Sequence, residues 1–213
     1  MDSDDTRRDV DEFVERLAFT AVLKDGTPAR IRPIAPKDKE RLAEGWKQLS
    51  PESRYLRFLQ PKPTLSKAEL TYLTEIDYFD HFAWAAETID TPVPPGVGIA
   101  RYIRDPKDPT VAEVAIAVVD HRQRQGLGRI LLQALAEAAI ENNIDRFRAY
   151  VSATNHQVLD TLTMIGAIPG STQEGAISLE LPLPIGAFDK SAMYAALRTV
   201  AIDQTQRPRD PRA

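Results

Sequence analysis

Residues 112–129 read AEVAIAVVDHRQRQGLGR, and this stretch decides the fold. Its first eight residues are apolar except for Glu113 and are rich in valine and isoleucine. That composition is typical of a strand buried on both faces. From Leu127 to Ala139 the apolar residues recur at helical spacing. The stretch therefore predicts a buried strand, a short turn and a helix.

A turn with two glycines and three arginines joins the predicted strand to the helix, in a chain whose net charge is -4. Glycine lets a ligand approach the backbone closely. The N–H groups of the first helical turn have no acceptor within the helix and carry the positive end of its dipole. Such a turn suits a pyrophosphate group.

Three known kinds of phosphate-binding turn can be compared with this one. A P-loop requires Gly-Lys-Ser/Thr, whereas Gly128 is followed by Arg129 and Ile130. A dinucleotide-binding turn places its first glycine directly after the strand and a third glycine where Leu131 stands, so it does not fit either. The segment Gln123–Gly128 matches the Gln/Arg-x-x-Gly-x-Gly/Ala signature of the GNAT acyltransferases, and here the sequence resembles that superfamily.

The remaining apolar periodicity predicts the element order β-β-α-α-β-β-β-α-β-α-β-β, which is an α/β (α+β) arrangement. We expect a mixed, mostly antiparallel central sheet with helices on both sides, which is the GNAT fold, and an extra helix over 189–201. The last strand pair is expected to be joined by a loop over 169–175. Ser50 before Pro51 is a helix-cap signature. The helix that Thr154 or Asn155 caps is expected to have Val158, Leu159, Leu162 and Ile165 on its apolar side. The predicted organisation is an N-terminal extension over 1–18, the GNAT domain over 19–184, and a C-terminal helix with a flexible tail over 185–213.

Composition narrows the classes of function. The chain has 213 residues, ordinary hydrophobic and charged fractions, and no cysteine, which excludes disulfides, thiolate metal sites and a cysteine nucleophile. The three histidines are too scattered to predict a metal site. Because the net charge is negative and no basic face is evident, we expect no nucleic-acid partner. The start of the chain is acidic and no apolar run approaches ~20 residues, so we expect no signal peptide, no membrane segment and a cytoplasmic location.

Four further segments narrow the resemblance to the catalytic domain of bacterial protein lysine acetyltransferases of the Pat type. The similarity extends over about residues 20–183. The segments that carry it are Ala29–Ile34, Leu49–Phe58, Gly98–Arg104 and Ala112–Ala115.

The resemblance implies a catalytic role for Glu113 and Val118. At pH 7 a lysine amine with a pKa near ~10.4 must lose a proton, at a cost of about 4.6 kcal/mol, before it attacks a thioester. Related enzymes place a glutamate at the position of Glu113 to accept this proton, usually through water. The resemblance also implies that the Val118 N–H polarises the thioester carbonyl. The alternatives are a solvated glutamate at the strand's exposed start and a plain core valine.

The resemblance further implies that acetyl-CoA, as co-substrate, is held along the turn, chiefly by backbone N–H groups. Arginine side chains of the turn add positive charge, unless they form only a solvated cluster. Asn155 is implied in binding the pantetheine arm, and it also fits a helix cap. The predicted cofactor-binding residues are Val118, Gln123, Arg124, Gln125, Gly126, Leu127, Gly128, Arg129 and Asn155.

One position departs from the superfamily pattern. Many GNAT enzymes have a tyrosine seven residues after the asparagine to protonate the leaving thiolate, and here that position is Leu162. Solvent or another group must then protonate the thiolate, whose pKa lies near ~8.5. Pat-type enzymes commonly lack this tyrosine too. Arg54, Tyr55 and Arg57 lie in a segment that lines the acceptor side in relatives, and a structural role fits them equally well.

Three functional hypotheses follow. The first is an acetyl-CoA-dependent N-acetyltransferase that acts on a protein lysine by direct attack in a ternary complex. The second is an acetyltransferase for a small amine. The third is a non-catalytic acyl-CoA-binding regulator, favoured by Leu162 and by the lack of an obvious acceptor pocket in the sequence. The acceptor, the acyl-chain preference and the oligomeric state are left open, and a homodimer is one arrangement that the sequence allows.

Overall fold

A computed structural model gives the structure of the protein and describes residues 3–89 and 96–185. Fourteen α-helices and β-strands are described there, in the order α1 Ser3–Leu17, β1 Phe19–Val22, β2 Pro28–Pro33, α2 Lys39–Lys47, α3 Pro51–Phe58, α4 Lys67–Thr74, β3 His81–Thr88, β4 Gly96–Arg104, β5 Val111–Val118, α5 Leu127–Glu141, β6 Arg146–Ser152, α6 His156–Met164, β7 Ile168–Gln173 and β8 Ala176–Pro182.

The strands form one sheet in the order β1-β2-β3-β4-β5-β6-β8-β7. Every neighbouring pair is antiparallel except β5 and β6, which are parallel. A parallel pair needs a crossover connection, and α5 supplies it. The predicted mixed, mostly antiparallel sheet is confirmed.

Helices cover both faces of the sheet. Alternate residues of β4 point to opposite sides and contact the helices on each face. Tyr102 faces α5 and receives a hydrogen bond from Asn142 at the end of that helix. Arg101 faces the other side and donates to the Leu73 carbonyl oxygen of α4 (3.2 Å). Leu131 and Leu135 of α5 are completely buried against the sheet. The main core therefore lies between α5 and the central strands.

Gly98 sets the distance between α5 and the sheet. A Cβ atom at this position would lie 3.0 Å from Leu131 Cδ1 and 3.1 Å from Leu127 Cδ2. At Gly96, on the same strand, the nearest atom to an added Cβ would be the Arg41 carbonyl oxygen at 3.7 Å. The absent side chain at Gly98 thus allows the helix to pack closely.

We expect Gly98→Ala to lower the free energy of unfolding by about 1 kcal/mol, because the extra methyl group overpacks the helix–sheet contact. Gly96→Ala is the matched control and should have a smaller effect. Urea unfolding of the two variants measures the difference. Equal stability of both variants would contradict the close packing of α5 on Gly98.

Local sequence signals account for two of the helix starts. Ser50 precedes Pro51, and its hydroxyl oxygen accepts a hydrogen bond from the Ser53 N–H (3.1 Å), which confirms the predicted cap. Ser66 and Glu69 form a capping box at the start of α4, with bonds of 3.2 and 2.8 Å.

The structure corrects three predictions. The segment 169–175 is not a loop, because β7 continues to Gln173 and the turn contains only Glu174 and Gly175. All six residues of β7 are exposed at the sheet edge, so no alternation of apolar residues marks the strand. Residues 51–58 form a further helix, α3, that the predicted order leaves out. Val158, predicted on the apolar face of α6, is exposed.

The predicted N-terminal extension contains α1, whose Phe13 and Val14 are buried in the same core as the sheet. The predicted helix over 189–201 and the tail after it lie outside the described residues. Across residues 3–89 and 96–185, no helix is both long and apolar enough to cross a membrane.

Candidate active site

A gap opens in the sheet between β5 and β6. Their parallel pairing extends only from Val111↔Arg146 to Glu113↔Arg148, so the second half of β5 has no partner on that side. On its other edge β6 pairs with β8 over its whole length. Residues 115–118 of β5 are consequently only half-buried, which corrects the prediction that both faces of this strand are fully covered.

Backbone polar groups of β5 point into this gap. The Val119 N–H donates to the Val97 carbonyl oxygen (3.0 Å). The backbone groups of Val119, and of every second residue before it, therefore point towards β4. Since successive residues of a strand direct their N–H and C=O groups to opposite edges, those of Ile116 and Val118 point towards the gap. The gap therefore offers an extended ligand a strand edge that β6 does not pair with, although the Val118 carbonyl oxygen already accepts a hydrogen bond from Gln123 Nε2 (3.1 Å).

The predicted phosphate-binding turn stands at the end of the gap. A Cβ atom at Gly128 would lie 3.9 Å from Val118 Cγ2, which places the start of α5 against the end of β5. Arg124 and Gly126 both have left-handed backbone conformations, with φ angles of 60° and 89°. The first hydrogen bond within α5 runs from the Ile130 N–H to the Gly126 carbonyl oxygen (3.1 Å). The N–H groups of Leu127 and Gly128 thus precede the helical ladder, at the positive end of a 15-residue helix.

Gln123 stabilises the turn through hydrogen bonds within the protein, and its backbone N–H does not point to the phosphate site. Its side-chain Nε2 donates to the Val118 carbonyl oxygen (3.1 Å), and its backbone N–H donates to the Asp120 carbonyl oxygen (3.2 Å). Because that N–H has an acceptor within the protein, the set of N–H groups proposed for the phosphate narrows to those after Gln123.

The turn after β1 supports the phosphate-binding turn from the other side. The Lys24 N–H donates to the Gln125 carbonyl oxygen (3.0 Å). Arg122 Nη1 donates to Asp25 (3.2 Å) and to the Thr27 hydroxyl (3.1 Å), so this guanidinium joins two turns. The side chains of Arg124 and Arg129 are exposed. Arg122 thus braces the phosphate-binding turn.

Asp120 links the turn to helix α3. Its carboxylate accepts hydrogen bonds from the Ser50 N–H (2.7 Å), the Ser53 hydroxyl (2.6 Å) and the Ser50 hydroxyl (3.1 Å). Partial desolvation raises the pKa of Asp120, but the hydrogen bonds from Ser53 and Ser50 outweigh it and hold the pKa below its usual range. The carboxylate at the start of α3 also interacts favourably with the helix dipole. The sequence offered no signal for this contact because the partners are about 70 residues apart.

We expect Asp120→Ala to lower the free energy of unfolding by about 1 kcal/mol through loss of this cap. Stabilisation by the carboxylate requires its charged form. It is present above the unfolded-state pKa near ~3.9 and disappears as the pH falls through the lower folded-state pKa. Urea unfolding at pH 7 and at acid pH measures both effects, with Glu52→Ala in the same helical turn as control. A deficit that persists when the carboxylates are protonated would contradict the charged cap.

Glu113 lies on the face of β5 that α3 covers. Its side chain is exposed and not surrounded by apolar residues. In its exposure it matches the alternative of a solvated glutamate at the start of a strand. Within the described part of the chain it makes no hydrogen bond and no ion pair. Its neighbour in register, Arg148, is bonded instead to Glu180 and Asp105, at 2.7 Å each. Burial lowers the pKa of Arg57 on α3, and the nearby charge of Glu113 partly offsets that lowering.

A cavity opens on the same face of the sheet, under α2, α3 and α4. Its volume, including the open entrance, is about 770 Å³. The walls are mostly apolar and include Trp46, Phe58 and Ile99, and Arg57 and Arg101 also line it. The sequence did not predict a pocket here, although Arg101 gave a signal as a charged residue inside an apolar strand.

Asn155 directly precedes α6, and Leu162 lies on it. Asn155 caps this helix through a hydrogen bond that its Oδ1 accepts from the Val158 N–H (3.3 Å), so the cap expected as one alternative is present. Leu162 packs against the core. Among the described residues, no group of three or more histidine, cysteine or acidic side chains is placed to hold a metal ion.

Comparison with known proteins agrees with the fold. The model of the Acetyltransferase (GNAT) family matches residues 49–166. Acetyltransferase Pat of Mycolicibacterium smegmatis is 35% identical over 155 residues, which cover 72% of this chain and 45% of that protein. The chain thus spans less than half the length of this relative. An acetyltransferase of Pseudomonas aeruginosa is 31% identical over 155 residues, covering 73% of this chain and 83% of that protein. The crystal structure of the GNAT domain of S. lividans PAT superposes with a TM-score of 0.70 at 33% identity, covering 78% of this chain and 97% of that domain.

Proposed function

The chain belongs to the GNAT family of acetyltransferases, and on this basis we propose that it transfers the acetyl group of acetyl-CoA to a primary amine, with a protein lysine as acceptor. The observation that carries the proposal is the succession of three features along the chain. They are the gap beside Val118, the turn at Gly126 and the carboxylate of Glu113, all on or directly after one strand.

In this proposal the coenzyme binds along the exposed edge of β5. The N–H groups that follow Gln123 donate to the pyrophosphate, and the helix dipole of α5 favours its negative charge. The backbone groups of Ile116 and Val118 bond the pantetheine arm and the thioester carbonyl. Asn155 contributes from the far side of the gap while it also caps α6.

Glu113 acts as the general base in this proposal. An exposed carboxylate without a direct partner is free to accept a proton from the acceptor amine, through a water molecule. The deprotonated amine attacks the thioester carbon, and the Val118 N–H stabilises the negative charge that develops on the carbonyl oxygen. Because Leu162 has no proton to give, solvent or another group protonates the leaving thiolate.

The protein lysine acceptor is supported by the resemblance of residues 20–183 to the Pat-type enzymes. We propose residues 19–184 as the acetyltransferase domain, with α1 packed onto it. The sheet, gap and turn all fall within these residues.

Release of coenzyme A from acetyl-CoA, measured over a panel of lysine-containing proteins and small amines, tests the proposal. We expect release that depends on the acceptor, with the acetylated lysine located by mass spectrometry. Acetylation of small amines alone would replace the protein acceptor with a small one. Tight coenzyme binding without release for any acceptor would favour the non-catalytic regulator.

A further inference from the structure

The cavity under α2, α3 and α4 carries an excess of positive charge. Arg32 in its wall is paired with Asp38 through two bonds of 2.7 Å, and Arg41 is paired with Glu87 at 2.6 Å. The remaining wall arginines are Arg57 and Arg101. Within residues 3–89 and 96–185, no carboxylate lies within ion-pair distance of either of them.

Arg101 is only 3% exposed, and fewer than half of the N–H groups of its guanidinium donate hydrogen bonds to described residues. It donates to His81 Nε2 (2.8 Å) and to the Leu73 carbonyl oxygen (3.2 Å), which are two of the five N–H bonds that a guanidinium offers. Both acceptors are uncharged groups when the imidazole is neutral. Burial lowers the pKa of Arg101 to about 9, and the charge of Arg57 contributes to this shift. The side chain is therefore still a cation at neutral pH.

Arg57 lies on the opposite wall, on α3. Its guanidinium carbon is 4.8 Å from the centre of the Phe58 ring, and it makes no hydrogen bond to any described residue. Burial lowers its pKa to about 10. Two cations that face one cavity without a paired anion are costly to bury, and a bound anion would offset that cost.

We propose that Arg57 and Arg101 form a subsite for a carboxylate group of the acceptor. The proposal deepens the proposed function and rests on it, because it takes Glu113 as the place where the amine loses its proton. The planar guanidinium group matches the geometry of a carboxylate, which it binds through two parallel hydrogen bonds.

The sheet register places this subsite next to the proposed base. Arg101 stands opposite Ala115, and Glu113 is the next residue of β5 on the same face. Diagonal neighbours of this kind are about 7–8 Å apart. The charge of Arg57 also acts on Glu113. An acceptor that fits both groups therefore carries its carboxylate several bonds from its amine, as an ω-amino acid does, or as a lysine beside an acidic residue does.

Matched pairs of acceptors test the proposal. One pair is ε-aminocaproate and its amide, and the other is a blocked peptide with lysine beside aspartate or beside asparagine. The quantity measured is kcat/KM for coenzyme A release with each member of a pair. For at least one pair we expect the carboxylate member to be favoured about tenfold or more, which is the effect of a hydrogen bond to a charged group. The pair that shows the preference identifies a small or a peptide acceptor.

Arg57→Gln should bring this ratio close to one, and Arg57→Lys should keep part of it. Arg41→Gln is the matched control, because it removes a positive charge from the same cavity that is already paired with Glu87. This variant should leave the ratio unchanged. A ratio near one for both pairs in the unmodified protein would overturn the proposal, as would a preference that survives Arg57→Gln. So would a preference for succinyl-CoA over acetyl-CoA with a neutral amine and no preference among acceptors, since the subsite would then serve the acyl donor.

A failure of the proposed function would look different. Neither member of a pair would then stimulate coenzyme release. Calorimetric titration with ε-acetamidocaproate and with its amide would still test the subsite directly. Tighter binding of the carboxylate, lost in Arg57→Gln, would support it, and equal binding of the two compounds would overturn it.

Discussion

Glu113→Gln is expected to lower kcat by about 10²–10⁴-fold, because the amide keeps the size of the side chain but cannot accept the proton of the acceptor amine. The coenzyme affinity should be unchanged, since the proposed coenzyme contacts are backbone groups of β5 and the turn. The stability should also change by less than about 0.5 kcal/mol, because the side chain is exposed and bonds to no described residue. Stopped assays with the best acceptor and calorimetry with acetyl-CoA measure these quantities.

Glu40→Gln is the matched control for this variant. Glu40 is an exposed carboxylate on α2, away from the gap, and its replacement should leave kcat unchanged. If Glu113→Gln retained the rate of the unmodified protein, Glu113 would be no more than a solvated residue at the start of a strand. The base would then have to be found elsewhere.

Gly126→Val is expected to weaken acetyl-CoA binding by at least about tenfold and up to about a hundredfold. Gly126 has a φ angle of 89°, which a β-branched residue adopts only with strain of about 1–3 kcal/mol. The turn can relieve this strain only by rotating the N–H groups that are aimed at the pyrophosphate. The added side chain would also meet the Lys24 side chain, which lies 3.7 Å from an ideal Cβ. Calorimetric titration with acetyl-CoA measures the affinity.

Gly166→Val separates backbone strain from loss of the binding site. Gly166 also has a left-handed backbone, with a φ angle of 101°, and an added Cβ would have no atom within 4 Å. It follows the far end of α6. This variant should lose stability but keep the affinity for acetyl-CoA. Equal affinity of Gly126→Val and the unmodified protein would contradict the placement of the pyrophosphate.

The sequence predicted the parts of the fold that local patterns determine. The strand from Val111 and the helix from Leu127 were recognisable because the apolar period changes at the turn between them. The cap at Ser50 was recognisable because a serine before a proline has one common structural use. The edge strand β7 was missed, since exposed residues on both faces leave no alternation.

The site depends on contacts that the sequence does not encode locally. The gap beside Val118 arises because the pairing of β5 with β6 stops at Glu113↔Arg148, and strand pairing depends on the whole sheet. The apposition of Arg57 and Arg101 requires α3 to cover β4 and β5, although these residues are 44 positions apart in the sequence. The residues of the turn could be named from their motif, whereas the anion subsite could not.

A crystal structure of the protein with coenzyme A bound tests the central claim most directly. We predict that the diphosphate oxygens lie within hydrogen-bonding distance, about 2.7–3.2 Å, of backbone N–H groups between Arg124 and Arg129, with the pantetheine arm beside Ile116 and Val118. A coenzyme bound elsewhere, with the turn at Gly126 unliganded, would contradict the claim.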